Sequence, residues 1–203
     1  MKNYLDHLKS YRIFLGSRSP RRQALLSSAG IPFETWLKEE LPEEYPDSLD
    51  PAGVALHLAR MKADPFRREL TDRSILITAD TVVVLDQQVI GKPAGREEAI
   101  RMLTALSGRS HEVITGVCLT SACRESLFTA STLVWFDQLH PSEIIEYVDF
   151  YKPFDKAGAY GIQEWIGYIG ITRIEGSYFN VMGLPIQRLY KELRTFTGYG
   201  LQS

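Results

Sequence analysis

The run Ile75-Leu76-Ile77-Thr78-Ala79-Asp80-Thr81-Val82-Val83-Val84-Leu85 constrains the fold more than any other part of the chain. β-Branched and apolar residues follow one another without the alternation of a half-wetted surface strand, which specifies a buried strand. The pattern continues through Asp86-Gln87-Gln88 into Val89-Ile90, so the strand feeds a hairpin. The rest of the chain alternates between strand and helix patterns, with no low-complexity linker and no repeat of fixed period, and this predicts an α/β architecture.

Before the central strand, Tyr11 to Leu15 reads as a strand and Pro20 to Ala29 as a helix stopped by Gly30. Ile31 to Leu37 is expected to be extended, and the acidic, proline-broken stretch Glu39 to Leu49 to be a loop. Asp50-Pro51 is a cap followed by a helix-starting proline, opening a helix that reaches about Ala63, with Lys62 near its end. After the hairpin, Glu97 to Leu106 suits a helix, Val113 to Thr120 and Leu127 to Phe136 suit paired strands, and Pro141 to Phe150 suits a helix. Ile166 to Ile174 is predicted to be extended, Pro185 to Phe196 to be an amphipathic helix, and Gly198 to Ser203 to be a frayed tail.

A formal net charge of −2 with no block of like charge gives no basis for general adhesion to nucleic acid or to a membrane, so any ligand has to be gripped locally. Met1 to Arg12 mixes charged and apolar residues and is no signal peptide. No segment is long and apolar enough to span a bilayer. Cys118 and Cys123 match neither a zinc knuckle nor a redox pair, and their expected place is as reduced packing residues in a cytoplasmic protein.

The local grip is concentrated in Ser17-Arg18-Ser19-Pro20-Arg21-Arg22, where a strand hands over to a helix. Free N–H groups and the positive end of the helix dipole point out of such a first turn, the serines add hydroxyls, and Arg21 and Arg22 add planar charged forks. The plainer alternative is a Ser19 cap, Pro20 in first position and two solvated arginines, which leaves the pairing of the arginines unexplained. Asp80 is the second feature, because a carboxylate within an apolar strand is costly unless it is paired or binds a metal. Gly91-Lys92-Pro93 follows the hairpin and can return a lysine toward it.

The third feature is Asp155-Lys156-Ala157-Gly158-Ala159-Tyr160-Gly161-Ile162-Gln163, whose glycines permit close approach and whose Gln163 carries both a donor and an acceptor for a base edge. Its plain alternative is a tight turn with a surface Asp155–Lys156 pair worth little. Gly176 to Pro185 is best read as shaping the start of the last helix, His111 as a lone structural histidine, and Trp36, Trp135 and Trp165 as core or interface. There is neither a Gly-x-x-x-x-Gly-Lys-Ser/Thr loop nor a Gly-x-Gly-x-x-Gly fingerprint, so a phosphate site here is of another kind.

Taken together, these residues resemble the Maf family of nucleoside triphosphate pyrophosphatases. The resemblance covers nearly the whole chain and is carried by Ser17 to Arg22, Leu58 to Ala63, Ala79 to Val83, Gly91 to Pro93, Leu106 to His111, Asp155 to Gln163 and Gly176 to Pro185. It implies a single domain over 1–203, an inosine-triphosphatase-like elongated mixed sheet flanked by helices, with two lobes around a central cleft and with 1–10 and 198–203 peripheral. It also implies Asp80 and Lys92 as catalytic residues, with Ser17, Arg21, Arg22, Lys62, Thr81 and Gln163 binding substrate. A loop glutamate joins Asp80, with Glu43 the best match and Glu40 its rival.

Arg21, Thr81 and Gln163 are similar to the residues of the dTTP/UTP subgroup, whereas Glu164-Trp165 departs from members that carry a glycine there. The implied reaction is attack of water at the α-phosphorus to give the monophosphate and pyrophosphate. A carboxylate with a reference pKa of ~3.9 is a poor base toward water at ~15.7, so a divalent metal, Mg²⁺ or Mn²⁺, on Asp80 and Glu43 is expected to acidify the water. Asp80 is left with two roles, base or metal ligand. The alternatives are a nucleotide-binding regulator of cell division without turnover, and a pyrophosphatase of other base specificity such as 7-methyl-GTP. A homodimer is compatible with the resemblance.

Overall fold

The computed structural model describes residues 4–39 and 42–200. Along the chain come α1 (Tyr4–Leu8), β1 (Arg12–Leu15), α2 (Pro20–Ser28), β2 (Glu34–Thr35), α3 (Pro51–Met61), a 3-10 segment Asp64–Glu69, β3 (Ser74–Leu85) and β4 (Gln88–Ile90). They are followed by α4 (Arg96–Leu106), β5 (Ser110–Thr120), β6 (Glu125–Phe136), α5 (Pro141–Tyr151), α6 (Trp165–Gly170), β7 (Ile171–Glu175), α7 (Tyr178–Val181) and α8 (Ile186–Phe196).

The strands form one seven-stranded mixed sheet in the order β2-β1-β3-β5-β6-β7, with β4 paired to β3. β1 is parallel to β3, with Ile13 opposite Ile75, and β3 is antiparallel to β4, with Val84 opposite Val89. The central strand is as expected: every residue of β3 except Thr81 is buried. The β3–β4 hairpin turns at Asp86 and Gln87, both with left-handed φ of 51° and 65°, the backbone a tight hairpin of this twist requires. Arg109 holds Asp86 with a 2.6 Å ion pair.

Two compact units make up the chain. The first comprises the described residues up to Asp80, Thr115–Ala130 and the described residues from Gly183 onward. One of its packed clusters joins Phe14, Ala59, Phe66, Leu76 and Cys118, against which Trp36 lies. The second comprises Thr81–Ile114 and Ser131–Met182. Its core gathers Val83, Leu103, Leu106, Phe136, Tyr147, Tyr160 and Ile166 from strands, from α4, α5 and α6, and from the segment before α6.

Helix starts follow the sequence. Ser19 caps α2 by accepting from the Arg22 N–H, Asp50 caps α3 by accepting from the Gly53 N–H, and proline takes the first turn of each. One expectation needs correction. Ile166 to Ile174 is not one extended segment: Trp165–Gly170 is helical and only Ile171–Glu175 is a strand. An apolar run without clear alternation fits either period, and here Ile166 and Gly170, four apart, are the buried pair of a helix. In Ile31 to Leu37 only Glu34 and Thr35 pair as a strand. Ahead of β1, the described residues Tyr4–Leu8 form α1, with Tyr4 and Leu8 buried.

Candidate functional site

In the first unit the site begins with the fastening of α3 to the sheet. Gly116 on β5 lies under this helix so closely that a Cβ there would stand 2.3 Å from the Ala55 carbonyl oxygen. Ala55 and Ala59 are fully buried on the same helix, and their small side chains allow the approach. At the helix end the Ala63 N–H donates to the Arg60 carbonyl, and the Thr78 hydroxyl on β3 donates to the Ala59 carbonyl at 2.7 Å. Helix ends leave carbonyls in want of donors, and Thr78 meets that want from the strand. Asp80 lies two residues further along β3, on the same face, and Lys62 is the C-cap of α3.

The consequence is an ion pair between the Lys62 ammonium and Asp80 Oδ1, with Glu43 Oε1 on the same nitrogen at 2.9 Å. Asp80 is only 7% exposed, whereas Glu43 lies on the surface. The buried carboxylate is thus neutralised by a lysine that an outer glutamate also holds.

Arg22 completes this group. Its Nε donates to the Gly183 carbonyl at 2.7 Å and its Nη1 donates to Ser17 Oγ at 3.3 Å. Ser17 Oγ also accepts from the Ser19 N–H at 3.2 Å, which closes the turn ahead of α2. Burial pulls the Arg22 guanidinium below its ordinary pKa, Asp80 raises it, Arg21 lowers it and Glu43 raises it. Those fields place Arg21, Arg22, Asp80 and Glu43 within one electrostatic neighbourhood. The capping part of the plain reading holds, with Ser19 capping and Pro20 starting the helix, but Arg22 is not a solvated arginine, since its guanidinium is held by the Gly183 carbonyl and the Ser17 hydroxyl. Glu40, the rival loop carboxylate, lies outside the described residues.

In the second unit Thr81 is half-buried and, as the neighbour of Asp80 on β3, faces the other way. That alternate face is the one on which Val83 meets Gly158, whose φ is 69° and whose added Cβ would be 3.0 Å from Val83 Cγ2. The Gly158 N–H donates to the Gly91 carbonyl at 3.0 Å. The Asp155–Gln163 segment is therefore bound to the residue preceding Lys92, whose side chain is exposed. Gln163 is half-buried, and its side-chain Oε1 is fully shielded with no hydrogen-bond partner among the described residues.

Here the plain reading of Asp155–Lys156 as a surface pair fails. Lys156 is 8% exposed, and its ammonium meets Asp155 Oδ1 at 2.7 Å and Glu164 Oε1 at 3.2 Å. The Tyr147 hydroxyl on α5 donates to Glu164 Oε2 and accepts from the Gly161 N–H at 3.0 Å. Burial and the neighbouring Glu164 push the Tyr147 hydroxyl far above its ordinary pKa. Sequence reasoning gave no role to Tyr147 or the Gly183 carbonyl and noted Glu164 only as a departure from members with a glycine there. The glycine before Leu184-Pro185 was the only signal for the Gly183 carbonyl, and its φ of 112° is what presents that carbonyl to Arg22.

The sequence matches the Maf-like protein family over residues 12–196. A dTTP/UTP pyrophosphatase of Porphyromonas gingivalis is 54% identical over 95% of this chain and 98% of its own length. Proteins of the same name from Parabacteroides distasonis and Bacteroides thetaiotaomicron are each 51% identical, over 95% and 94% of this chain and 100% and 98% of their own. A solved nucleoside triphosphatase and dITP/XTP pyrophosphatase of Mycobacterium abscessus superposes with a TM-score of 0.42 at 15% identity, covering 95% of this chain and 99% of that one, a likeness too distant to build on. With the family's pattern spanning nearly all of the described structure, the chain belongs to the Maf family.

Proposed function

We propose that this chain is a nucleoside triphosphate pyrophosphatase that converts dTTP and UTP to the monophosphate and pyrophosphate. The relatives named dTTP/UTP pyrophosphatase, at up to 54% identity over nearly the full chain, support the activity and the substrates. The structural observation that carries the reading is the Lys62 ammonium shared by buried Asp80 and outer Glu43, with Arg22 alongside.

In this reading Arg22, Lys62 and Lys92 hold the triphosphate and offset the charge that gathers on the leaving pyrophosphate, with Ser17 and Arg21 at its edge. A water oxygen bonds to the α-phosphorus, the bond from that phosphorus to the bridging oxygen breaks, and the water proton leaves by way of Asp80 or solvent. Gln163 reads the base: its shielded Oε1 accepts from N3–H of uracil or thymine, a donor that would satisfy the buried acceptor. Thr81 borders the same subsite.

The proposal includes a divalent metal, Mg²⁺ or Mn²⁺. Asp80 and Glu43 are hard oxygen donors that meet at the Lys62 nitrogen, and carboxylate oxygens suit such an ion. Among the described residues no group of three or more His, Cys, Asp or Glu could hold a metal, so phosphate oxygens and water would complete the coordination. When bound, the ion would supply charge neutralisation and a more acidic water. The reading places the enzyme in the cytoplasm on free nucleotides. No helix among the described residues is long and apolar enough to cross a membrane.

The test is a panel of triphosphates with Mg²⁺ or Mn²⁺, with pyrophosphate and orthophosphate measured separately. Pyrophosphate from dTTP and UTP, nearly abolished in Asp80→Asn, is the expected result. Orthophosphate release would reject the chemistry, and full activity of Asp80→Asn would reject the assignment of that residue.

A further inference from the structure

A single buried hydroxyl clasps the chain on both sides of Gln163. Tyr147 is fully buried on α5. Its oxygen accepts from the Gly161 N–H at 3.0 Å, two residues before Gln163, and its proton goes to the carboxylate of Glu164, the residue immediately after. Lys156 neutralises that carboxylate from within the same segment at 3.2 Å. Glu164 stands at the N-cap of α6 but gives its helix no side-chain cap. Its carboxylate turns back instead, over Gly161, where an added Cβ would stand 2.7 Å from Glu164 Cδ.

This construction has a cost that calls for a purpose. A shielded acceptor without a partner is destabilising, and a glutamine on an unrestrained loop relieves that cost by turning its amide toward another donor. Gln163 Oε1 keeps no hydrogen bond among the described residues. Fixing the backbone before and after it keeps the side chain from moving to a donor elsewhere, so the acceptor stays without a protein partner among the described residues.

We propose that Tyr147, Glu164 and Lys156 are positioning residues for base selection, holding Gln163 so that its shielded carbonyl oxygen, which no protein donor among the described residues satisfies, is met by a pyrimidine with an N3–H in preference to one with a bare N3. The inference rests on the reading of Gln163 as the base contact. Uracil and thymine present that N3–H, and cytosine presents an acceptor at the same place. Freed from the clasp, the amide can turn over and offer its NH₂ to cytosine, so the clasp acts on the choice between UTP and CTP. The phosphate-binding residues Arg22 and Lys62 make none of these contacts.

The experiment is a double-mutant cycle on the ratio of kcat/KM for UTP to that for CTP, read as pyrophosphate release by wild type, Gln163→Ala, Tyr147→Phe and the double variant. Tyr147→Phe keeps the ring and removes both hydroxyl bonds. The expected result is a fall of about tenfold in the UTP:CTP ratio, carried by KM with kcat for UTP little changed, and no further fall in the double variant. Faster amide hydrogen exchange at Gly161 in Tyr147→Phe is the accompanying structural readout. Glu164→Gln gives a second variant of nearly unchanged shape, expected to move the ratio the same way, should the buried tyrosine site not tolerate change.

If Gln163→Ala lowers the ratio while neither Tyr147→Phe nor Glu164→Gln does, the clasp is overturned and the base contact stands. A further, additive fall in the double variant also overturns it, because the tyrosine would then act by another route. If Gln163→Ala leaves the ratio unchanged, the base contact falls and the positioning role falls with it.

Discussion

Lys62 touches both carboxylates of the first unit's polar group, and its removal therefore separates two contributions. Lys62→Met keeps the length of the stem but deprives Asp80, at 7% exposure, of the Lys62 ammonium. A hydrogen bond to a charged, largely shielded group is worth ~1.5–3 kcal/mol, so the urea midpoint should fall measurably. Removing one preorganised charge from a phosphoryl-transfer site costs about 10²–10³ in rate, so pyrophosphate release should drop by that factor. Glu43→Gln is the contrast, because Glu43 is exposed and bears on the same nitrogen. Its stability should change by less than ~0.5 kcal/mol. A loss of activity with unchanged stability in Glu43→Gln would mark a functional carboxylate, and unchanged activity would remove Glu43 from the site.

At the scale of elements, the polar group exists because α3 sits directly on β5 and is tied to β3. Gly116→Ala inserts a methyl where the Ala55 carbonyl oxygen stands 2.3 Å away, and backbone cannot yield as a flexible side chain can. A cost of ~1–3 kcal/mol is expected in urea unfolding, together with lower kcat, as the helix end bearing Lys62 moves from Asp80. Thr78→Val removes the donor to Ala59 at nearly constant volume and should cost ~1 kcal/mol with a smaller loss of kcat. Equal kcat in wild type and Gly116→Ala, with stability lowered, would show that helix seating and chemistry are uncoupled. These elements were legible in the sequence because their signals are local: Ser19-Pro20 and Asp50-Pro51 announce helix starts, and the apolar run around Asp80 announces a strand. α6 was not legible, since Trp165 to Gly170 is apolar at both periods and its helical turn depends on Gly167 fitting beneath the Ile162 carbonyl. Likewise Asp80 stands out as a charge where charge is costly and Arg22 as one of two arginines paired at a helix start, whereas Lys62 was marked only by the resemblance. Tyr147 and Glu164 look like an ordinary helix aromatic and an ordinary surface acid until the fold brings them together.

Over the whole molecule, two packed units each bury polar groups, and the second holds one that ties stability to pH. His111 on β5 is 3% exposed, between the rings of Phe136 and Tyr160, with Nε2 at 2.7 Å from the Tyr160 hydroxyl. Burial lowers its pKa from 6.5 to about 4. In that window the unfolded chain takes up a proton that the folded chain refuses. The resulting stability is fully present above pH ~6.5 and is lost as pH falls toward ~4, below which the folded histidine also protonates and this contribution stays flat. The shift corresponds to roughly 3 kcal/mol. Carboxylates held by cations in the native state, Asp86 and Asp149 among them, have lowered pKa values and lose their share only as pH falls through the carboxylate range. Urea midpoints measured between pH 7 and 4.5 should therefore decline in the wild type and decline less in His111→Gln, which packs a neutral side chain without a titrating ring. Because both proteins keep the same carboxylates, the difference between the two slopes isolates the histidine. Parallel slopes would show that His111 is protonated in the folded protein at no cost, and that the hydrogen bond to Tyr160 does not depend on a neutral ring.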